Sequence, residues 1–200
     1  KAVKRIAPFL VPPVLFLATA VWAQGPLSPP GAPGQTMKSL AQIEPRTPIE
    51  SLPFTITTPG SYYLTGNLTS AGNGIVVESD NVTIDLMGFT LTGSGSGGGI
   101  YAWPVSGGYR GLVVKNGGIT GGGGVTVYAG SENYEVSRNF ISGNLTRQRG
   151  GGVLHDGLSD GGLIEGNKIL FNEVFYGLLG GGDGGGIYVG GTGTAGALGT

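Results

Sequence analysis

One spacing recurs four times in this chain: two positions seven residues apart, then a glycine run that ends in a β-branched residue. Ile84 and Leu91 are followed by Gly97-Gly98-Gly99-Ile100, and Leu112 and Ile119 by Gly122-Gly123-Gly124-Val125. Tyr134 and Ile141 precede Gly150-Gly151-Gly152-Val153, and Gly162 and Ile169 precede Gly184-Gly185-Gly186-Ile187. A strand at Ile75, after Gly72-Asn73-Gly74, starts the series. Self-similarity at a fixed period marks a solenoid, because one repeat cannot bury its apolar face alone and must stack on the next.

The steps between these positions separate the constant parts of a coil from the variable ones. From the glycine-led strand to the next marked position the step is 9 from Ile75 to Ile84, 12 from Ile100 to Leu112, and 9 in both later copies. The second step is 7 throughout, and the return to the glycine-led strand takes 9, 6, 12 and 18 residues. The shortest combination is a bare coil of 22, with insertions gathered at one corner. In a stack such insertions align on one face, often the binding face. Strand alternation assigns the faces. Val82, Ile84 and Leu86 point inward, as do Leu112 and Val114, Tyr134 and Val136, and Ile164, with Ile84, Leu112 and Tyr134 in one stacked column. Asn116, Asn139 and Asn167 follow at the next corner. They read as turn residues, since Asn tolerates left-handed backbone and bonds its own corner.

Composition matters here because 43 glycines and 12 prolines in 200 residues reach the roughly 25–30% share at which low complexity competes with a fold. Collagen is excluded, since no strict Gly-X-Y period runs through the chain. Disorder is disfavoured by β-branched alternation such as Asn81-Val82-Thr83-Ile84-Asp85-Leu86. There are no cysteines, so disulfides and thiolate metal sites are ruled out and stability must come from stacking. The net charge is -1, which gives no support to nucleic-acid or anionic-membrane binding. None of the glycine runs ends in Gly-Lys-Ser/Thr, so nucleotide binding is unsupported as well.

The organisation follows from local signals. Lys1, Lys4 and Arg5 precede an apolar run interrupted by Pro12-Pro13, and Val21-Trp22-Ala23 supplies small residues for cleavage. Residues 1–23 therefore read as an export signal cut after Ala23, which makes the protein secreted or cell-surface. Residues 24–46 are a Pro/Gly-rich linker. The repeat domain is 47–200, with 47–74 as an N-terminal cap that covers the open strand edge. No C-terminal cap is visible, and the chain reads as a fragment that stops within the repeats. Asn67-Leu68-Thr69, Asn81-Val82-Thr83 and Asn144-Leu145-Thr146 match the N-glycosylation pattern.

The coil length, the glycine-led strand and the Asn at the tight corner resemble the right-handed parallel β-helix of the pectin-lyase-like superfold. The segments Thr58–Leu68 and Asn81–Leu91 resemble the opening of secreted bacterial β-helix repeat proteins. The resemblance implies an all-β, right-handed parallel β-helix and, for the sequons, an incidental role. It leaves activity open, because this superfold carries lyases, hydrolases, epimerases and non-catalytic adhesins. An enzyme of this kind would be a polysaccharide lyase or a glycoside hydrolase, using clustered carboxylates with calcium or paired Asp residues. The outward positions run Asp85, Val113, Glu135, Leu163 and then Met87, Lys115, Ser137, Glu165. Acids do not fall in consecutive coils there, so no calcium ladder is seen and no cofactor is expected.

Two surfaces carry candidate chemistry. On the glycine-led strand, alternation aligns Glu78, Trp103, Tyr128 and Asp156, with Tyr101 and Tyr188 outward on the same face. An acid-flanked aromatic row suits a sugar, since rings stack on pyranose faces and carboxylates accept hydroxyl protons. Glu78, Tyr101, Trp103, Tyr128 and Tyr188 are the candidate carbohydrate contacts. The second group is Arg147, Arg149, His155, Asp156, Asp160 and Asp183 beside the growing corner, with His155, Asp156 and Asp160 as the catalytic candidates. Alternation from Val153 places His155 inward. The expected partner is an extracellular polysaccharide or cell-surface component, with a homo-oligomer compatible. The alternative is a non-catalytic structural or adhesive matrix protein.

Overall fold

The computed structural model describes residues 45–94, 99–102, 107–147, 149–155, 157, 160–175 and 184–190. Residues 1–44, where the export signal and most of the linker were expected, lie outside the described residues, as do Trp103, Asp156 and Asp183. Within them the chain is all strand, with no helix. The strands are β1 (Thr47–Ile49), β2 (Phe54–Ile56), β3 (Gly60–Leu64), β4 (Leu68–Thr69) and β5 (Ile75–Val77). Then come β6 (Val82–Asp85), β7 (Thr90–Thr92), β8 (Ile100–Ala102), β9 (Val113–Lys115) and β10 (Gly118–Thr120). They are followed by β11 (Val125–Val127), β12 (Glu135–Ser137), β13 (Phe140–Ser142), β14 (Leu145–Thr146) and β15 (Val153–His155). The last are β16 (Leu163–Glu165), β17 (Lys168–Leu170), β18 (Glu173–Val174) and β19 (Ile187–Val189).

These strands form a parallel β-solenoid. Sheet I is β1-β3-β6-β9-β12-β16, sheet II is β4-β7-β10-β13-β17, and sheet III is β2-β5-β8-β11-β15-β19. From β3 onward the chain visits them in the order I, II, III and returns, so each of those coils lays one strand on each sheet, while β1 and β2 add one strand each to sheets I and III. The glycine-led strands pair in parallel through Ile75, Ile100, Val125, Val153 and Ile187, with spacings of 25, 25, 28 and 34 residues. Period-2 alternation explains the interior: β5, β8 and β15 each bury their first and third residues and half-expose the second. Ile49, Leu64, Ile84, Leu91, Ile100, Ile119 and Ile141 are all fully buried, each worth roughly 1.5–3 kcal/mol on transfer from water.

The constant seven-residue step is corrected by the register. Ile84 pairs with Val114, and Val114 with Val136. Leu112 and Tyr134 instead continue the column of Val82, two residues earlier. All stay inward, but in two columns. The cause is the corner between sheets I and II of that coil, which carries two extra residues. Met87 (φ 54°) and Gly88 (φ 81°) turn it through left-handed backbone. The outward columns shift with it, so that Asp85 lies beside Lys115, Ser137 and Glu165, not beside Val113. Gly162, the one marked position without a side chain, is also explained. A Cβ there would strike the Tyr134 ring, which fills the space for two coils.

The last glycine before β8 and before β11 meets the backbone of the next coil. The amides of Ile75, Ile100, Val125 and Val153 donate to the carbonyls of Gly99, Gly124, Gly152 and Gly186 in the following coil. A Cβ on Gly124 would collide with the Gly152 carbonyl, and Gly124 has φ 62°. The growing corner between sheets II and III is partly regular. Its insertions in the last two described coils pair as a small sheet of β14 and β18. At the far end of the stack Ile187 and Val189 occupy inward positions yet are 44% and 54% exposed, because no described coil covers them.

Asparagine does more than turn corners. Asn116 has left-handed backbone (φ 60°), as do Arg138 and Gly166 at the matching corners. Asn139 and Asn167 differ from the expectation, for they bond a neighbouring coil and not their own corner. Asn139 donates through Nδ2 to the Val114 carbonyl at 2.9 Å and accepts the Gly117 amide at 3.3 Å. Asn167 donates to the Val136 carbonyl at 2.6 Å and accepts the Asn139 amide at 2.9 Å. A second ladder runs five residues on. Asn144 donates to the Ile119 carbonyl and accepts the Gly122 amide, and Asn172 donates to the Ile141 carbonyl and accepts the Asn144 amide. Asn144, 1% exposed, is a buried strut, and its side chain is not presented as a glycan acceptor.

Candidate functional site

Sheet III carries the aromatic candidates, and its register fixes their neighbours. Val76, Tyr101, Thr126, Leu154 and Tyr188 form one outward column. Tyr101 and Tyr188 therefore share a face but stand three coils apart, with Thr126 and Leu154 between them. Thr126 is only 5% exposed although it points outward, so the middle of this face is closely packed. Burial pushes the Tyr101 phenol above its ordinary value, a hydrogen bond with the Gly99 backbone pulling the other way. Tyr188 stacks under the Arg149 guanidinium, whose carbon lies 4.9 Å from the ring centre. Glu78 is exposed and Tyr128 half-buried in the neighbouring column. Trp103 and Asp156, which belong to that column by spacing, are outside the described residues.

Of the catalytic candidates, His155 and Asp160 are described, and they face different surroundings. His155 is 6% exposed and points inward, its Nδ1 2.5 Å from the Tyr134 hydroxyl. That bond crosses the interior from sheet III to sheet I, with the two rings 5.5 Å apart and tilted at 43°. Burial raises the Tyr134 phenol above its ordinary value. Asp160 is exposed and stands at the corner between sheets III and I. The amides of Asn81, Gly111 and Asn133 donate to the carbonyls of Arg110, Glu132 and Asp160. Asp80, Arg110, Glu132 and Asp160 are thereby one charged corner column. Arg110 pairs with Glu132 at 3.3 Å, and the Asp80 carboxylate accepts the Arg110 amide at 2.8 Å. Arg147 and Arg149 are both exposed.

Spacing alone missed Tyr109 on that corner. Desolvation is the larger cause of its raised phenol, and the Glu78 and Asp80 carboxylates add to it. The Glu78 charge therefore acts on a tyrosine of the next coil. The available signal was the longer 12-residue step from Ile100 to Leu112, which carries Tyr109 and Arg110 out to this corner. No group of three or more His, Asp or Glu able to hold a metal ion occurs among the described residues. No helix among them is long and apolar enough to cross a membrane.

Comparison with protein-family models, with curated proteins and with solved structures returns no match to this chain.

Proposed function

We propose that this chain is an exported, right-handed β-helix of the pectin-lyase-like kind whose long outer surface binds an extracellular polysaccharide. The observation that carries the reading is the placement of Tyr101 and Tyr188 in one outward column of sheet III. Tyr128 and Glu78 extend it in the column beside them. Coils repeat about every 4.8 Å along the stack, close to the length of one sugar unit, so a chain laid along sheet III meets equivalent positions at each residue. Aromatic rings and a cation-stacked tyrosine suit pyranose faces and hydroxyls. Cleavage after Ala23 would leave Gln24 as the first residue of the exported protein.

The test is a screen of the purified protein against neutral and acidic glycans, with product assays for new reducing ends and for unsaturated sugars. Binding that weakens in Tyr128→Ala and Tyr188→Ala supports the reading. Absence of binding to every glycan sinks it. Turnover would add hydrolase or lyase activity, according to the product. A second reading, a non-catalytic structural or adhesive matrix protein, is favoured by how much polar chemistry serves the stack itself. The buried His155 and the four ladder asparagines all spend their hydrogen bonds between strands. Glycan binding without any turnover would be compatible with adhesion, and would exclude a purely spacing role.

A further inference from the structure

The corner between sheets I and II holds a concavity that no sequence argument above singled out. It is shallow and open to solvent, with a volume of about 510 Å³. Gly88, Gly117, Gly118 and Gly166 are among its lining residues. An added Cβ at Gly117 would strike Leu86, and one at Gly118 would strike Thr90, so neighbouring coils approach closely there. At Gly88 an added Cβ would meet open space, and at Gly166 it would touch Arg138 alone, at 3.6 Å from Cγ and 3.8 Å from the backbone nitrogen. The walls carry Arg138 and Lys168 from successive coils, and no Asp or Glu lines the space.

The two cations line the same space as an exposed ring. Phe140 is 47% exposed, and Lys168 Nζ lies 5.7 Å from its centre. Arg138 is 58% exposed and is oriented from behind. Its Nε donates to Asn116 Oδ1 at 3.2 Å, and Asn116 Nδ2 donates in turn to Asp85 Oδ1 at 3.2 Å. Glu135 contributes a contact to one terminal nitrogen at 4.0 Å. Asn116 and Asp85 thus aim the guanidinium, and its planar fork suits a carboxylate or sulfate in two-point contact. An apolar ring beside two cations selects for an anion attached to a flat, partly apolar body.

We infer that this corner is a binding site for an anionic sugar, its carboxylate or sulfate held by Arg138 and Lys168 and its ring laid on Phe140. The inference rests on the carbohydrate reading for the class of ligand, and it names a surface separate from the sheet III tyrosines. The test is calorimetric titration with a polyuronate, a sulfated glycan, and the carboxyl-reduced form of the polyuronate, at low and high salt. The polyuronate or the sulfated glycan should bind more tightly than the reduced polymer, and the advantage should shrink in high salt. Arg138→Gln and Lys168→Gln should each weaken that binding roughly fivefold, the scale of a partly exposed charge pair. Arg138→Lys should recover part of it, and Phe140→Ala should weaken it as well.

Folding of each variant is checked by amide exchange of β12 and β13. Equal affinity for charged and reduced polymers would overturn the inference. So would unchanged affinity in both Arg138→Gln and Lys168→Gln. Loss of acidic binding in Tyr128→Ala and Tyr188→Ala, with the cation variants unaffected, would move the ligand to sheet III and leave the broader reading standing. Binding of no polymer would overturn both.

Discussion

Replacing Asn144 with alanine should remove about 4 kcal/mol of stability. The side chain is 1% exposed and makes three hydrogen bonds across coils. Nδ2 reaches the Ile119 carbonyl at 3.1 Å and Asn172 Oδ1 at 2.8 Å, and Oδ1 accepts the buried Gly122 amide at 3.3 Å. Truncation leaves the Gly122 amide and the Ile119 carbonyl without these partners. Each such loss costs about 1–3 kcal/mol, so two of them come to about 4. With a urea slope of about 2 kcal/mol/M, the midpoint should fall by about 2 M. Solenoid coils need not unfold together, so the same loss should appear as faster amide exchange in β10 and β13. Asn67→Ala is the control, because Asn67 is exposed and accepts one amide, from Thr90 at 2.9 Å. It should cost no more than about 1 kcal/mol. A loss below about 1 kcal/mol for Asn144→Ala would refute the view that these ladders hold the coils.

Three further outcomes are expected. Gly124→Ala should destabilise more than Gly88→Ala, since both have positive φ but only the first meets a neighbouring carbonyl; thermal unfolding of the two variants checks the order, with about 1–2 kcal/mol for Gly88→Ala from backbone strain alone. The raised phenol of Tyr134 means that the folded state keeps its proton longer than the unfolded chain does. That stability is complete below pH about 10 and is lost as pH rises through the folded value. Tyr134→Phe should therefore flatten the alkaline limb of the stability profile, and an unchanged limb would argue against this residue. Amide exchange should be slowest in β8–β13 and fastest in β16–β19, where Ile187 and Val189 are partly exposed; a uniform pattern would contradict this gradient.

Much of the fold was readable because side-chain periodicity and glycine placement act locally. The glycine-led strands at Ile75, Ile100, Val125 and Val153 pair as their spacing implied. The widening return corner is likewise where the insertions lie. The Ile84 register was hidden by compensation. Two residues gained at Met87-Gly88 were offset by a strand entered two residues earlier, and a count of steps cannot see such an exchange. The second ladder left a spacing signal that went unread: Asn139 and Asn144 recur as Asn167 and Asn172, each pair five residues apart. Reading Asn144 through its Leu145-Thr146 context drew attention to a modification pattern instead. The Tyr134–His155 bond was beyond reach, since it depends on the distance between two sheets that no local pattern encodes. The concavity beside Arg138 escaped for a similar reason. Its lining residues come from successive coils whose relative register had first to be known.

The asparagine ladders give the stack a direction. Asn139, Asn144, Asn167 and Asn172 each reach back, through both the nitrogen and the oxygen of the carboxamide, to the coil that precedes them in the chain. A polypeptide leaving the ribosome N-terminus first presents each new carboxamide to a coil already in place, so winding can advance like a ratchet without waiting for later sequence. Loss of coils from the two ends should then be unequal. A chain stopped after Asp160 keeps the Val114 and Ile119 carbonyls for Asn139 and Asn144. One that begins after Gly122 removes every partner of both side chains in the preceding coil, and should refold more slowly and aggregate more readily when the two are diluted from urea side by side.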